Sequence, residues 1–323
     1  MSAVHPIIEQ IRQSPKIPVP SQTIFKVLEL TRDPQCDLHK VAILISRDAG
    51  LTAQVLRQAN SALYGYGAPT SSVPTACSRL GLTRVRAAVV NHHVVNSLAT
   101  VRPPGFNASR YWQAALATSV AAQDLCARLL PNQAEHAGTA GLLCDIGIGL
   151  LAFGVPERYR GVLTHPSGLL GADFVRAEAR MIGVTHPEVG AAVLADWKLD
   201  QPIIDAVRQH HVDPLDAAAK KMGKFNQAVA AGVTLSRIAL DGSEMDSVET
   251  LFTQVEALTP KPDELVGQLL DTLVHHIQET AKTLSLEIGS VEAMQGNFDG
   301  LLQRIPDVAA AMSTRPMSRD MFT

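Results

Sequence analysis

The sequence predicts an all-α protein. Of its 323 residues, 46% are hydrophobic and only 4% are aromatic, and Leu and Ala are abundant. Few stretches alternate apolar and polar residues as strands do, whereas many repeat apolar residues at helical spacing. A chain of this length can bury a large core, in one large domain or two ordinary ones.

Charge and cysteine content exclude several classes of protein. The net charge of -3 and the pI near 6.4 give no basic footprint for nucleic acid or an anionic membrane. The four cysteines lack C-x-x-C spacing, so neither a disulfide framework nor a zinc knuckle is indicated. No uninterrupted apolar run reaches the roughly 20 residues of a membrane span. We therefore expect a soluble, cytoplasmic protein without a cofactor.

The first third of the chain predicts several short helices and one longer helix. Each starts at a residue suited to capping and then shows an apolar stripe. The predicted starts are Ser21, Asp37, Asp48 and Thr83. Pro103, Pro104 and Gly105 then interrupt the helical pattern, and we place the junction of two helical subdomains there.

The rest of the chain continues the helical pattern. Proline at 187 and at 202 suits the first turn of a helix. Predicted helices cover 107–130, 133–153, 173–182, 187–197, 203–210, 225–240, 248–258 and 263–284. After Pro306 we expect a frayed tail.

One carboxylate stands out, because Asp145 lies in an otherwise apolar and glycine-rich run, 141–147. A buried carboxylate without a partner would take up a proton. The sequence leaves three roles open for Asp145: a buried acid paired with His186, a backbone amide or the pair His210 and His211; a metal ligand; or a contact to another ligand.

An ordered set of motifs resembles the HDOD domain, a relative of the HD metal-dependent phosphohydrolases. The matching segments are 17–20, 45–52, 60–65, 72–81, 141–147, 185–190 and 206–211, in the family's order. The resemblance covers about residues 15 to 215. It implies an N-terminal helical subdomain over 15–104 and an HD-like subdomain over 105–215. We expect a helical extension over 216–305 that packs on them, and a flexible tail over 306–323.

The resemblance also implies where an HD-type metal site would lie. HD enzymes place one His directly before the Asp and another at the start of the subdomain's first helix, where this chain has Cys144 and Ala114. A closing Asp is missing after the His pair. Asp145, His186, His210 and His211 are what remains. From these losses we expect a degenerate site without metal, and a protein that is not an enzyme.

By resemblance, the chain is expected to be a regulatory protein of bacterial signal transduction, a scaffold or sensor for a kinase, response regulator or cyclic-dinucleotide enzyme. The alternatives are an HD-type phosphohydrolase acting on a nucleotide or cyclic dinucleotide, and a nucleotide sensor that does not hydrolyse. Arg79, Arg84 and Arg86 surround Gly81 with positive charge, either as a solvated face or as a site for phosphate or an acidic partner.

Overall fold

The computed structural model describes residues 5–17, 19–65, 68–99, 103–164, 171–242 and 244–313. Within those ranges the chain forms α-helices and two short 3₁₀ turns, and no strand. The prediction of an all-α fold is confirmed.

The N-terminal part forms five helices, and three of them begin at the predicted capping residues Ser21, Asp37 and Asp48. The first helix was not predicted, and the predicted start at Thr83 lies inside the longest helix. Ser21 and Asp48 each accept a hydrogen bond from the backbone N–H three residues on, at 3.3 and 3.0 Å. The longest of these helices is broken at Gly81, where φ is +74°. The helices are α1 (Pro6–Gln13), α2 (Gln22–Leu30), α3 (Leu38–Ile45), α4 (Ala49–Ala59) and α5 (Val73–Ala99).

The remaining helices differ from the sequence prediction at one important point. We predicted a single helix over 133–153, but the chain divides it at Cys144 and Asp145. The helices are α6 (Ala108–Leu129), α7 (Ala134–Leu143), α8 (Ile146–Gly154), α9 (Pro156–Leu163), α10 (Ala172–Ile182), α11 (His186–Asp196), α12 (Gln201–Gln209), α13 (Lys224–Asp241), α14 (Met245–Glu256), α15 (Pro262–Leu284) and α16 (Glu292–Ser313).

Helix α6 is the centre of the fold and packs against α7, α13 and α15. Glycines let the backbones approach closely: a Cβ on Gly141 would lie 2.7 Å from the Thr118 carbonyl oxygen, and one on Gly232 would lie 2.9 Å from the Ala122 nitrogen. The segment after residue 215 therefore contributes α13 and α15 to the same core. The subdomain boundaries that we inferred from the sequence stay predictions.

The C-terminal end is helical further than the sequence indicated. We placed a flexible tail at 306–323, but α16 continues through Pro306 to Ser313, and Val308 is buried. Residues 314–323 lie outside the described residues.

The segment Pro131–Gly154 is long and apolar enough to cross a membrane by length and composition alone, with a mean hydropathy of 1.6 in its most apolar window. Within the fold, 89% of that window is buried against the rest of the protein. The core helix of a folded protein has the same length and composition, so these two properties are weak evidence for a membrane span.

Arg86 on α5 connects the end of α2 to the start of α12. Its Nη1 donates to the Leu28 carbonyl and the Thr31 hydroxyl, at 2.6 and 3.0 Å. Its Nε and Nη2 donate to both carboxylate oxygens of Asp200, at the start of α12. Since Arg86 is only 7% exposed, these bonds lie largely away from water.

We predict that Arg86→Ala lowers the free energy of unfolding by about 2–4 kcal/mol, because it leaves buried acceptors without a donor. Urea denaturation measures the change. Arg176→Ala is the matched control, because its ion pair with Asp173 is exposed and should change stability by less than about 1 kcal/mol. Equal losses in the two variants would contradict the structural role of Arg86.

Helices α8 and α11 touch through their backbones at Gly147. A Cβ at this position would lie 2.0 Å from the His186 carbonyl oxygen and 2.9 Å from the His186 Cα. We predict that Gly147→Ala destabilises the protein by at least about 1–3 kcal/mol, because backbone must move to admit the methyl group.

The control is Gly267→Ala on α15, where an added Cβ meets nothing within 4 Å. This control should be about 0.5–1 kcal/mol more stable than the starting protein, because alanine favours helix. Thermal melts of both variants make the comparison, and a stable Gly147→Ala protein would refute the close approach.

Candidate metal centre

Four side chains from three separate segments of the chain converge at one buried point. Asp145 lies at the junction of α7 and α8, His186 is the first residue of α11, and His210 and His211 follow α12. The Nε2 atoms of His186 and His210 are 3.2 Å apart and lie 3.3 and 3.5 Å from the Asp145 Oδ1. One ligand atom from each of the four residues lies within 4.8 Å of all the others.

These distances match the spacing of ligands around a small metal ion. Ligands about 2.0–2.1 Å from a tetrahedral ion lie about 3.4 Å from one another. The three separations among Asp145, His186 and His210 are 3.2, 3.3 and 3.5 Å. The three ligand atoms therefore have the spacing of one face of a tetrahedral metal site.

Neighbouring groups orient both imidazoles. The Nδ1 and the backbone N–H of His186 both donate to Oε2 of Glu178, at 2.7 and 2.8 Å. The Tyr159 hydroxyl donates to the other oxygen of Glu178. The His210 Nδ1 donates to the Val207 carbonyl at 2.6 Å. Because both Nδ1 atoms carry the proton, both Nε2 atoms can present a lone pair to a metal.

The electrostatics of the cluster call for positive charge. Burial raises the pKa of Asp145, but the imidazoles of His186 and His210 beside its carboxylate outweigh burial and bring that pKa below its usual range. Burial lowers the pKa of His186, but Glu178 and Asp145 overcome this and raise the pKa to about 9. Two buried carboxylates thus require an imidazolium or a metal ion beside them.

Two buried atoms of the cluster have unused hydrogen-bonding capacity. Asp145 Oδ1 and His211 Nε2 have no hydrogen-bond partner among the described residues. The Asp145 Oδ1 lies within ion-pair distance of both histidines, but neither contact has the geometry of a hydrogen bond. A cation among these atoms would satisfy them, so the residues present fit a divalent metal ion.

The prediction that the metal site had been lost is therefore wrong, and so is the expectation, which depended on it, that the chain is not an enzyme. Cys144 and Ala114 indeed offer no ligand. Burial and then Asp145 raise the pKa of the Cys144 thiol, and Ala114 is a buried residue of α6. The four other residues converge without them, because the fold brings three distant segments to one point.

Sequence reasoning missed Glu178 and Tyr159. Glu178 follows Phe174 by one helical turn, on the buried face of α10, and is itself fully buried. An acid in the apolar stripe of an amphipathic helix was the available signal.

The three arginines around Gly81 make contacts within the chain. Arg79 donates to the Ala59 and Ala68 carbonyls, and Arg84 pairs with Glu135 at 2.8 Å. Arg86 joins Asp200, as described above. Contacts of these arginines to a ligand or partner stay a prediction.

Comparison with known proteins identifies the family and relatives of this chain. The HDOD domain family model matches residues 17–212. A Treponema pallidum protein described only as uncharacterized is 26% identical over 219 residues, which are 64% of this chain and 39% of that protein. This chain thus spans less than half of that relative's length.

Solved structures share the fold at low identity. An HDOD domain protein of unknown function from Geobacter sulfurreducens is 24% identical, with a TM-score of 0.67 over 85% of this chain and 97% of that one. A candidate phosphohydrolase from Shewanella amazonensis is 23% identical, with a TM-score of 0.66 over 86% and 97%. A candidate signal transduction protein from Marinobacter aquaeolei is 20% identical, with a TM-score of 0.56 over 97% of this chain and 62% of that one.

The family model covers more than half of the chain, and its match ends one residue after the His210 and His211 pair of the cluster. The chain belongs to the HDOD domain family, whose fold is related to that of the HD phosphohydrolases.

Proposed function

We propose that this protein is a metal-dependent phosphohydrolase of the HD type. One divalent transition-metal ion would be held by Asp145, His186, His210 and His211. The observation that carries the proposal is the spacing of 3.2–3.5 Å among three ligand atoms in a buried cluster. Three nitrogen ligands and one carboxylate suit ions such as zinc, iron or cobalt.

The ligand set is compatible with hydrolysis. A divalent ion bound there supplies Lewis-acid activation of water and of a phosphoester. Asp145, His186 and His210 are buried and would hold the metal ion in a fixed position, whereas His211 as a residue is partly exposed. The name of the Shewanella relative as a candidate phosphohydrolase supports this reaction class, and a nucleotide or cyclic dinucleotide is the substrate class that we propose.

A regulatory role in bacterial signal transduction is the second candidate. The Marinobacter structure, named as a candidate signal transduction protein, shares the fold over 97% of this chain and extends beyond it. In this role the metal-loaded domain would act on, or together with, another signalling protein of the cytoplasm. The two candidates are compatible, since a phosphohydrolase can serve a signalling pathway.

We predict that the purified protein binds about one transition-metal ion per chain and that Asp145→Asn loses it, because the change removes the anionic ligand. Elemental analysis measures the metal. Turnover of bis(p-nitrophenyl) phosphate and of a cyclic dinucleotide, with manganese or iron added, measures the reaction.

Asp173→Asn is the control, because Asp173 is an exposed acid of α10 and should keep both metal and turnover. Stoichiometric metal without turnover would favour the regulatory candidate. Failure of the starting protein to bind zinc, manganese or iron would refute the proposal.

We further predict that Glu178→Gln weakens metal affinity by about 10- to 100-fold, because an amide orients His186 less firmly and leaves it less basic than a carboxylate does. Isothermal titration with zinc gives the affinity. Glu188→Gln is the matched control, because Glu188 caps α11 near the cluster and is exposed. Glu188→Gln should leave the zinc affinity unchanged. An equal loss of zinc affinity in both variants would contradict the role of Glu178 in orienting His186.

A further inference from the structure

A cavity lies apart from the metal cluster, between the segment after α12, helix α13 and helix α14. Its volume is about 340 Å³. Apolar side chains form much of the wall, including Val212, Met222 and Ala230. No residue of the metal cluster lines it. The volume is in the range of pockets that take small molecules, roughly 300–1,000 Å³.

One polar group of the wall has unused capacity. Gln254 on α14 lines the cavity, is only 8% exposed, and has an Oε1 atom without a hydrogen-bond partner among the described residues. Two other polar side chains of the wall are already engaged. The Thr253 hydroxyl donates to the Glu249 carbonyl at 2.8 Å, and the Gln227 amide donates to the Ala219 carbonyl at 3.3 Å.

A buried amide oxygen usually has a donor, so its lack of one at a cavity wall points to a ligand that supplies it. We propose that this cavity binds a small molecule with an apolar body that donates one N–H or O–H hydrogen bond to Gln254 Oε1. Most ligand pockets combine an apolar lining with a few polar groups that fix orientation, and this cavity has that composition.

The position of the cavity relates it to the metal cluster. Val212 in its wall directly follows His211, and Gln209 in α12 accepts a hydrogen bond from Asn226 of α13 at 2.8 Å. The wall of the cavity and two of the candidate metal ligands thus belong to one short stretch of chain. The proposal does not depend on the function proposed for that cluster.

The test uses N-phenyl-1-naphthylamine, a neutral fluorescent probe with an apolar body and a single N–H. We expect saturable binding with one site per chain, measured by the rise in fluorescence. Ala257→Trp should weaken binding by at least tenfold, because Ala257 lines the cavity and is exposed, so a larger side chain can fill the mouth without entering the core.

Ala217→Trp is the matched control, because Ala217 is exposed in the same region but does not line the cavity. Gln254→Leu should weaken binding of N-phenyl-1-naphthylamine about tenfold. The same variant should bind 1-phenylnaphthalene, which has no N–H, as tightly as the starting protein does or more tightly. That contrast separates a lost hydrogen bond from a damaged fold.

Three outcomes would overturn the proposal. The starting protein could fail to bind the probe, or Ala257→Trp could bind it as tightly as Ala217→Trp does. Probe binding could also fall as the protein concentration rises and the chain self-associates, with self-association measured by light scattering. The exposed Leu215 in the wall would then mark a contact with a second copy of the chain.

Discussion

The removal of two carboxylates from water is the constraint on which the HD-like part of this protein depends. Asp145 and Glu178 are both buried, and His186 lies between them, with one ring nitrogen facing each acid. Burial of an uncompensated carboxylate costs several kcal/mol, on the order of the whole stability margin of a domain. The fold can hold these acids only with a shared cation, either a protonated imidazole or a metal ion.

The surrounding helices hold that arrangement by close packing. Helix α8 begins directly after Asp145, and Gly147 on it touches the backbone of His186. Helix α10 brings Glu178 to the other side of the same imidazole, and Tyr159 of α9 holds Glu178. A geometry built from four helices in this way is rigid, as a metal site requires.

The N-terminal helices and the C-terminal helices belong to the same body of structure. Arg86 of α5 bonds to Leu28 of α2 and to Asp200, the residue directly before α12. Helices α13 and α15 pack on α6 from the opposite end of the sequence. Contacts between parts that are distant in sequence thus determine where His210 and His211 lie.

The sequence by itself determined the helical class, most helix starts and the HDOD family, because caps, apolar periodicity and ordered motifs are local in the chain. It also identified Asp145, His186, His210 and His211 as the remaining candidate site residues. Only the tertiary structure decided that they meet, since 65 residues of sequence, from 145 to 210, fold back to within 3.5 Å. Local patterns carry no information about such distances. The absence of metal ligands at Ala114 and Cys144 therefore led to the wrong prediction that the metal site had been lost. The same limit hid the break between α7 and α8 at Cys144 and Asp145. Helix propensity carries no information about tertiary contacts such as the one between Gly147 and the backbone of His186.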